Sequence, residues 1–256
     1  GNGITLELAR GEEREEMSIV LKVLPDEILD RTKRPLAGKP SEAGEGDASD
    51  VDLKPMKLPE FPQESWVYRP AGSRGGAGLL LWLHDGDETT AREVAKPWRE
   101  VCERDNMTLL IASPADKQRW RRDDLEFLGR LLAVAIEREA ADPSRVAVVG
   151  VGKAGQMAHL LGLNRRSPIR GVITVGAPLP RTLTIPDVSP NRRVAFLTIA
   201  ASESPLAVLV KRDARALAEA GFPTTELAAR RGRENDELGP ATRDAMSRWV
   251  AGLRRF

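Results

Sequence analysis

The chain has 256 residues, 41% hydrophobic and only 4% aromatic, enough for one large aliphatic core plus an appendage. Its 39 basic and 38 acidic residues leave a net charge of +1, which gives no footing for nucleic acid or an anionic membrane surface, and no apolar run approaches the ~18 residues of a membrane span. A single cysteine, Cys102, excludes an internal disulfide and any cysteine-rich metal site, and two histidines, His84 and His159, confine imidazole chemistry to two places.

Gly1-Asn2-Gly3 does not read as a natural start, and no signal peptide follows it, so a processed or excised fragment is expected. Residues 4–10 and 17–23 alternate apolar and polar side chains around the charged stretch 11–16, which predicts a β-hairpin. Residues 33–63 are rich in Pro, Gly, Ser and acids and predict a flexible linker. Within it, Pro55, Pro59 and Pro62 suggest an extended segment laid over the next domain. That domain, 64–256, opens with a strand at 65–70 and a fully apolar strand at 79–84. A helix over 91–104, interrupted by Pro97, precedes a strand at 107–112. An amphipathic helix is predicted over 123–136, with acids in its first turn and Asp142-Pro143 after it.

Residues 146–149 are Val-Ala-Val-Val, a run suited to a strand covered on both faces. Gly150, Gly152 and Gly155 follow and predict a sharp turn into a helix packed close to the strand. Further strands are expected at 171–176, 194–199 and 224–229, with helices at 205–220 and 242–253. Apolar strands alternating with amphipathic helices predict an α/β class, a doubly wound, mostly parallel sheet in three layers with an N-terminal hairpin appendage.

The glycine turn has two readings. It matches G-x-G-x-x-G literally, but several strands precede it and the strand at 171–176 ends in no carboxylate, which weighs against a dinucleotide. Read as a G-x-S-x-G elbow, it puts Gly152 where a nucleophile belongs.

The segments 79–87, 123–150 and 194–221 together resemble the α/β-hydrolase fold, particularly its polyhydroxyalkanoate-depolymerase, feruloyl-esterase and dienelactone-hydrolase branches. The likeness spans about residues 64–256. It implies a serine, a histidine and an acid in three loops. At those positions this chain has Gly152, Ser204 beside Glu203, and Glu234 or Asn235; no histidine follows His159. The expectation is therefore a catalytically inactive pseudohydrolase domain with a vestigial triad, holding a protein or peptide segment, or a small ligand, in the old cleft. The alternative is a serine hydrolase with an atypical site, for which Ser113 and Ser204 are candidate nucleophiles. Residues 1–32, with Ile4, Leu6, Leu8, Arg10 and Gly11, resemble the closing strands of a PDZ domain of the kind found in HtrA-type proteases. That pairing leans towards an extracytoplasmic setting.

Asp85, Gly86, Lys153 and Glu203 are the candidate binding residues. Lys153 stands where a helix start could hold an anion; its plain reading is a solvated lysine. Asp85, Asp87 and Glu88 could hold a cation through oxygens, but lack a second ligand set, so neither a metal nor a cofactor is expected. Glu203, Glu234 and Asp236 could converge for acid–base work. Arg119 to Arg122, with Trp120 among them, could grip an acidic partner or be a solvated helix start; Arg230, Arg231 and Arg233 read as a solvated loop.

Overall fold

The computed structural model describes residues 3–10, 13–20, 51–73, 75–84, 91–116, 119–188, 193–201, 205–229 and 238–255. The chain divides into two compact units, Gly1–Arg34 with Phe256, and Pro35–Arg255. In the first, β1 (Gly3–Arg10) and β2 (Glu13–Val20) pair antiparallel from Gly3 opposite Val20 to Arg10 opposite Glu13. The second strand thus begins within the stretch predicted as the turn. Glu13, Arg14, Glu15 and Glu16 are ladder members, because pairing satisfies backbone N–H and C=O groups whatever the side chain. Only residues 11 and 12 remain between the strands, a common hairpin length.

The second unit is built on an eight-stranded sheet. Its strands are β3 (Leu53–Pro55), β4 (Ser65–Tyr68), β5 (Gly78–Leu83), β6 (Met107–Ala112), β7 (Val146–Val151), β8 (Gly171–Val175), β9 (Ala195–Ala201) and β10 (Thr224–Ala229). Across the sheet the order is β10-β9-β8-β7-β5-β6-β4-β3. From β6 to β10 every pair is parallel; β4 and β3 are antiparallel additions at one edge.

The apolar run of β5 is buried from end to end, as a central parallel strand requires. Its alternate residues serve two layers. Leu79, Leu81 and Leu83 join Val146 and Val148 of β7 in one core. That core also takes Phe127, Leu128 and Leu131 of α3 (Asp124–Arg138) and Ala154, Met157 and Leu161 of α4 (Lys153–Leu163). Trp82, between them, packs edge-on against Trp98 with ring centroids 5.8 Å apart. The helix predicted over 91–104 is split as its proline suggested, into α1 (Ala91–Ala95), a 3-10 turn at Lys96–Trp98, and α2 (Arg99–Asp105). Cys102 is buried on α2. The remaining helices are α5 (Ala207–Glu219) and α6 (Pro240–Gly252).

The described end of the predicted linker, residues 51–63, is not a loose tether. Val51, Met56 and Leu58 are buried, Phe61 meets Phe127 at 5.6 Å, and β3 pairs with β4. Apolar residues recur between the prolines, and a proline is tolerated on an edge strand. Gln63 Nε2 donates to Asp124 Oδ1 at 2.8 Å, and Asp124 Oδ2 accepts from the Arg121 N–H at 2.7 Å, so one buried carboxylate starts α3 and anchors this segment.

At the amino edge of the sheet, charges are paired off. Arg104 binds Asp105 at 2.7 Å and Asp244 at 2.9 Å, the Ser247 hydroxyl donates to Asp105, and Arg254 binds Asp142 at 2.5 Å. Buried Arg145 donates to the Asp105 carbonyl at 3.1 Å and lies against Gly78, where a Cβ would sit 3.0 Å from its guanidinium.

Candidate functional site

The carboxyl edge is built around the junction of β7 and α4. Gly152 has φ 55° and ψ −120°, a conformation L side chains rarely adopt. The turn is held on both sides: the Gly152 N–H donates to the Val175 carbonyl at 2.9 Å, and the Gly155 N–H to the Gly152 carbonyl at 3.1 Å. Its flanking glycines are there for space. A Cβ on Gly150 would come within 2.4 Å of the Ala154 carbonyl oxygen, and one on Gly155 within 2.3 Å of the Ala177 Cβ. At Gly152 a Cβ would meet nothing within 4 Å. The backbone is thus that of a nucleophile elbow with open space over its apex. Position 152 supplies no attacking atom, so a covalent nucleophile must come from another segment.

Beside the elbow lies a cavity of about 720 Å³. Lys153 and Gln156, on the first turns of α4, line it together with Gly152. The opposite walls come from the loop after β8 and from α5. Apolar Leu179, Leu206 and Leu209 are interleaved there with cationic Arg181 and Arg212. Asp213 ties these walls together: buried, it accepts from the Leu179 N–H at 2.8 Å and binds Arg212 at 2.7 Å. Sequence reasoning found Lys153 but not Arg181, Arg212 or Asp213. They come from segments with no shared motif: Arg181 follows β8, Arg212 and Asp213 lie on α5 after β9, and the sheet order brings both segments to the elbow.

His159 is 2% exposed, fixed on the buried face of α4 and stacked on Phe196 at 6.0 Å. Its Nδ1 has no hydrogen-bond partner. Burial pushes its pKa down to about 4, against smaller opposing effects of a hydrogen bond to the Ala177 backbone and the Asp213 charge. It is a neutral packing residue, with no route to a substrate. His84 follows β5 at the carboxyl edge, with its N–H donating to the Ala112 carbonyl at 2.9 Å and its own carbonyl accepting from Trp120 Nε1 at 2.8 Å. Leu83 pairs with Ala112, so His84 and Ser113 each directly follow the last paired residue of neighbouring strands β5 and β6. Trp120 is therefore a strut for this edge, and Arg119 and Arg121 both pair with Asp116.

Asp85, Gly86, Asp87, Glu88, Glu203, Ser204, Arg230, Arg231, Arg233, Glu234, Asn235 and Asp236 lie outside the described residues. They follow β5, β9 and β10, whose carboxyl ends share the sheet edge carrying Gly152. Among the described residues no three or more His, Cys, Asp or Glu gather as a metal-binding group, and no helix is long and apolar enough to cross a membrane.

No family model and no curated protein matches the chain. Solved structures do. A thermostable esterase from Pseudomonas putida is similar with a TM-score of 0.59 at 15% identity, over 81% of this chain and 84% of that one. An esterase from Pyrobaculum calidifontis gives 0.59 at 14% identity over 81% and 86%, and an arylesterase gives 0.58 at 13% over 81% and 85%. The fold is the α/β-hydrolase-like, three-layer arrangement, as the sequence led us to expect. The expected function needs correcting. A non-catalytic binding or scaffolding domain finds no counterpart in these likenesses, which are to esterases, and the alternative of a serine hydrolase with an atypical site fits them better.

Proposed function

We propose that this chain is an ester-cleaving serine hydrolase whose nucleophile stands off the elbow. The observation that carries this reading is the Gly152 turn at the end of β7, formed in elbow geometry and opening on a cavity of about 720 Å³. Esterases of the same fold add support.

Ester cleavage needs an attacking hydroxyl, a base to take its proton, and donors for the oxyanion. His159 is sealed in the core, which leaves His84 as the base. Ser113, which directly follows the β6 partner of Leu83, is the first candidate nucleophile, with Ser204 the second. Backbone N–H groups at the start of α4 are the oxyanion donors, favoured by the positive end of the helix. In this reading Gly152, Glu234 and Asn235 stand at the usual triad positions without carrying the chemistry, which falls to His84 and to Ser113 or Ser204.

A fluorophosphonate probe followed by peptide mapping tests this. Labelling of Ser113 or Ser204, with loss of at least about 10²-fold in aryl-ester turnover on substitution of the labelled serine by alanine, is the expected result. No labelled serine and no turnover above the buffer rate would overturn it. For the first unit, we propose that β1 and β2 close a PDZ-like domain. Antiparallel pairing along both strands supports this. Its test is whether the reading frame upstream encodes the peptide-binding part of such a domain.

A further inference from the structure

We infer that the cavity beside Gly152 takes the carboxylate-bearing end of an anionic ester, such as a half-ester of an aliphatic dicarboxylic acid. This rests on the ester-cleaving reading above. Three cations, Lys153, Arg181 and Arg212, reach the cavity from the start of α4, the loop after β8, and α5. None of its described lining residues is acidic.

This concentration of positive charge is local. The whole chain carries a net charge of only +1, and the arginines of the amino edge are tied to Asp105, Asp142 and Asp244. Arg212 does have a partner in Asp213. That carboxylate is buried in the wall and also accepts from Leu179, whereas the Arg212 side chain is 67% exposed. A cleft lined by one sign of charge raises the local concentration of the opposite ion.

The apolar part of the lining sets the rest of the ligand. Leu179, Leu206 and Leu209 share the cavity with the cations, and Leu206 is 42% exposed. An alkyl chain laid on these leucines removes apolar surface from water while its terminal carboxylate meets the cations. Because β7 lies between β5 and β8, a ligand seated there extends its other end past Gly152 towards His84. A neutral diester of equal length fits the leucines but leaves the cations without a partner.

The experiment compares monoethyl adipate with diethyl adipate, following product by chromatography, for the wild type, Arg181→Glu and Arg212→Gln. Arg181 is exposed, so its reversal leaves the core untouched, and melting temperatures verify folding. The expected result is a preference for the half-ester of about tenfold in kcat/KM, carried by KM, as a few exposed charge contacts would give. Arg181→Glu abolishes that preference by raising KM for the half-ester. About 0.5 M salt erodes it too, because exposed charges are screened over a few ångströms there. Equal rates on both esters, a preference for the diester, or a variant that slows both alike would overturn the inference. If neither ester is cleaved, the hydrolase reading is judged by the fluorophosphonate and aryl-ester test above, and calorimetric titration with monoethyl adipate decides the cavity. Binding that Arg181→Glu removes upholds it; no binding overturns it.

Discussion

The two edges of the sheet handle charge in opposite ways. At the amino edge, Arg104, Arg145 and Arg254 are locked to Asp105, Asp142 and Asp244 or to backbone carbonyls. At the carboxyl edge, glycines strip side chains from the turn, and cations line an open cavity. The first arrangement holds helices to the sheet; the second keeps space and charge for a visitor. Both come from one strand order, which gathers charge pairs at one edge and leaves open space at the other.

The contrast breaks hardest at Gly155. A Gly155→Val change forces a Cβ into the Ala177 Cβ, with no flexible side chain to give way, and costs about 4 kcal/mol by chemical denaturation. Next comes Asp105→Ala at the other edge. It strips Arg104 and Ser247 of a shared acceptor next to buried Arg145, and lowers the denaturation free energy by about 3 kcal/mol.

Acid separates the two edges. His159, beneath the elbow, has its folded pKa depressed to about 4 by burial. The unfolded chain binds the proton first, so this contribution is complete above an unfolded pKa of about 6.5. It is lost as pH falls towards about 4, by about 3 kcal/mol in all. In His159→Phe the slope of stability across that window disappears. At the amino edge, burial works to raise the Asp105 carboxyl, but hydrogen bonds from Arg104 and Ser247 outweigh it and hold it below its usual value. Its contribution is intact above about pH 4 and fails only below that, as pH drops through the lowered folded value. Acid titration of the denaturation midpoint should therefore show the elbow weakening before the seam. The smallest effect is Gly152→Ala: with no clash, only the positive φ opposes it, at about 1 kcal/mol in the same measurement. A cost near that of Gly155→Val would mean the space over the apex is not open.

Much of the fold could be read from residue pattern. The valine run before the glycines, the apolar β5 and the acid-led α3 all have their expected places, because periodicity and glycine geometry are local. Misreadings arose where long-range pairing overrides composition. Glu13–Val20 is a strand although its first residues are charged, and the apolar residues among the prolines of 51–63 find a core that composition does not reveal. The site was less legible. Gly152 was recognisable from spacing alone, but Asp213 and Arg212 are adjacent in an ordinary helix, and their role appears only when Leu179 is seen against them. The functional expectation failed because it asked each triad loop in turn for one residue type. The register that ends β5 and β6 together at Leu83 and Ala112, just before His84 and Ser113, has no signature along the chain.

Cys102 has a practical consequence. It is 0% exposed, and burial, with Asp105 and Glu103 nearby, pushes its thiol well above the ordinary range. Alkylating reagents and mild oxidants act on the exposed thiolate, so the folded chain is silent towards them. A cysteine placed at Val208, 76% exposed on the helix bordering the cavity, would react alone. A fluorophore attached there could report occupancy without any need to remove the native sulfur first.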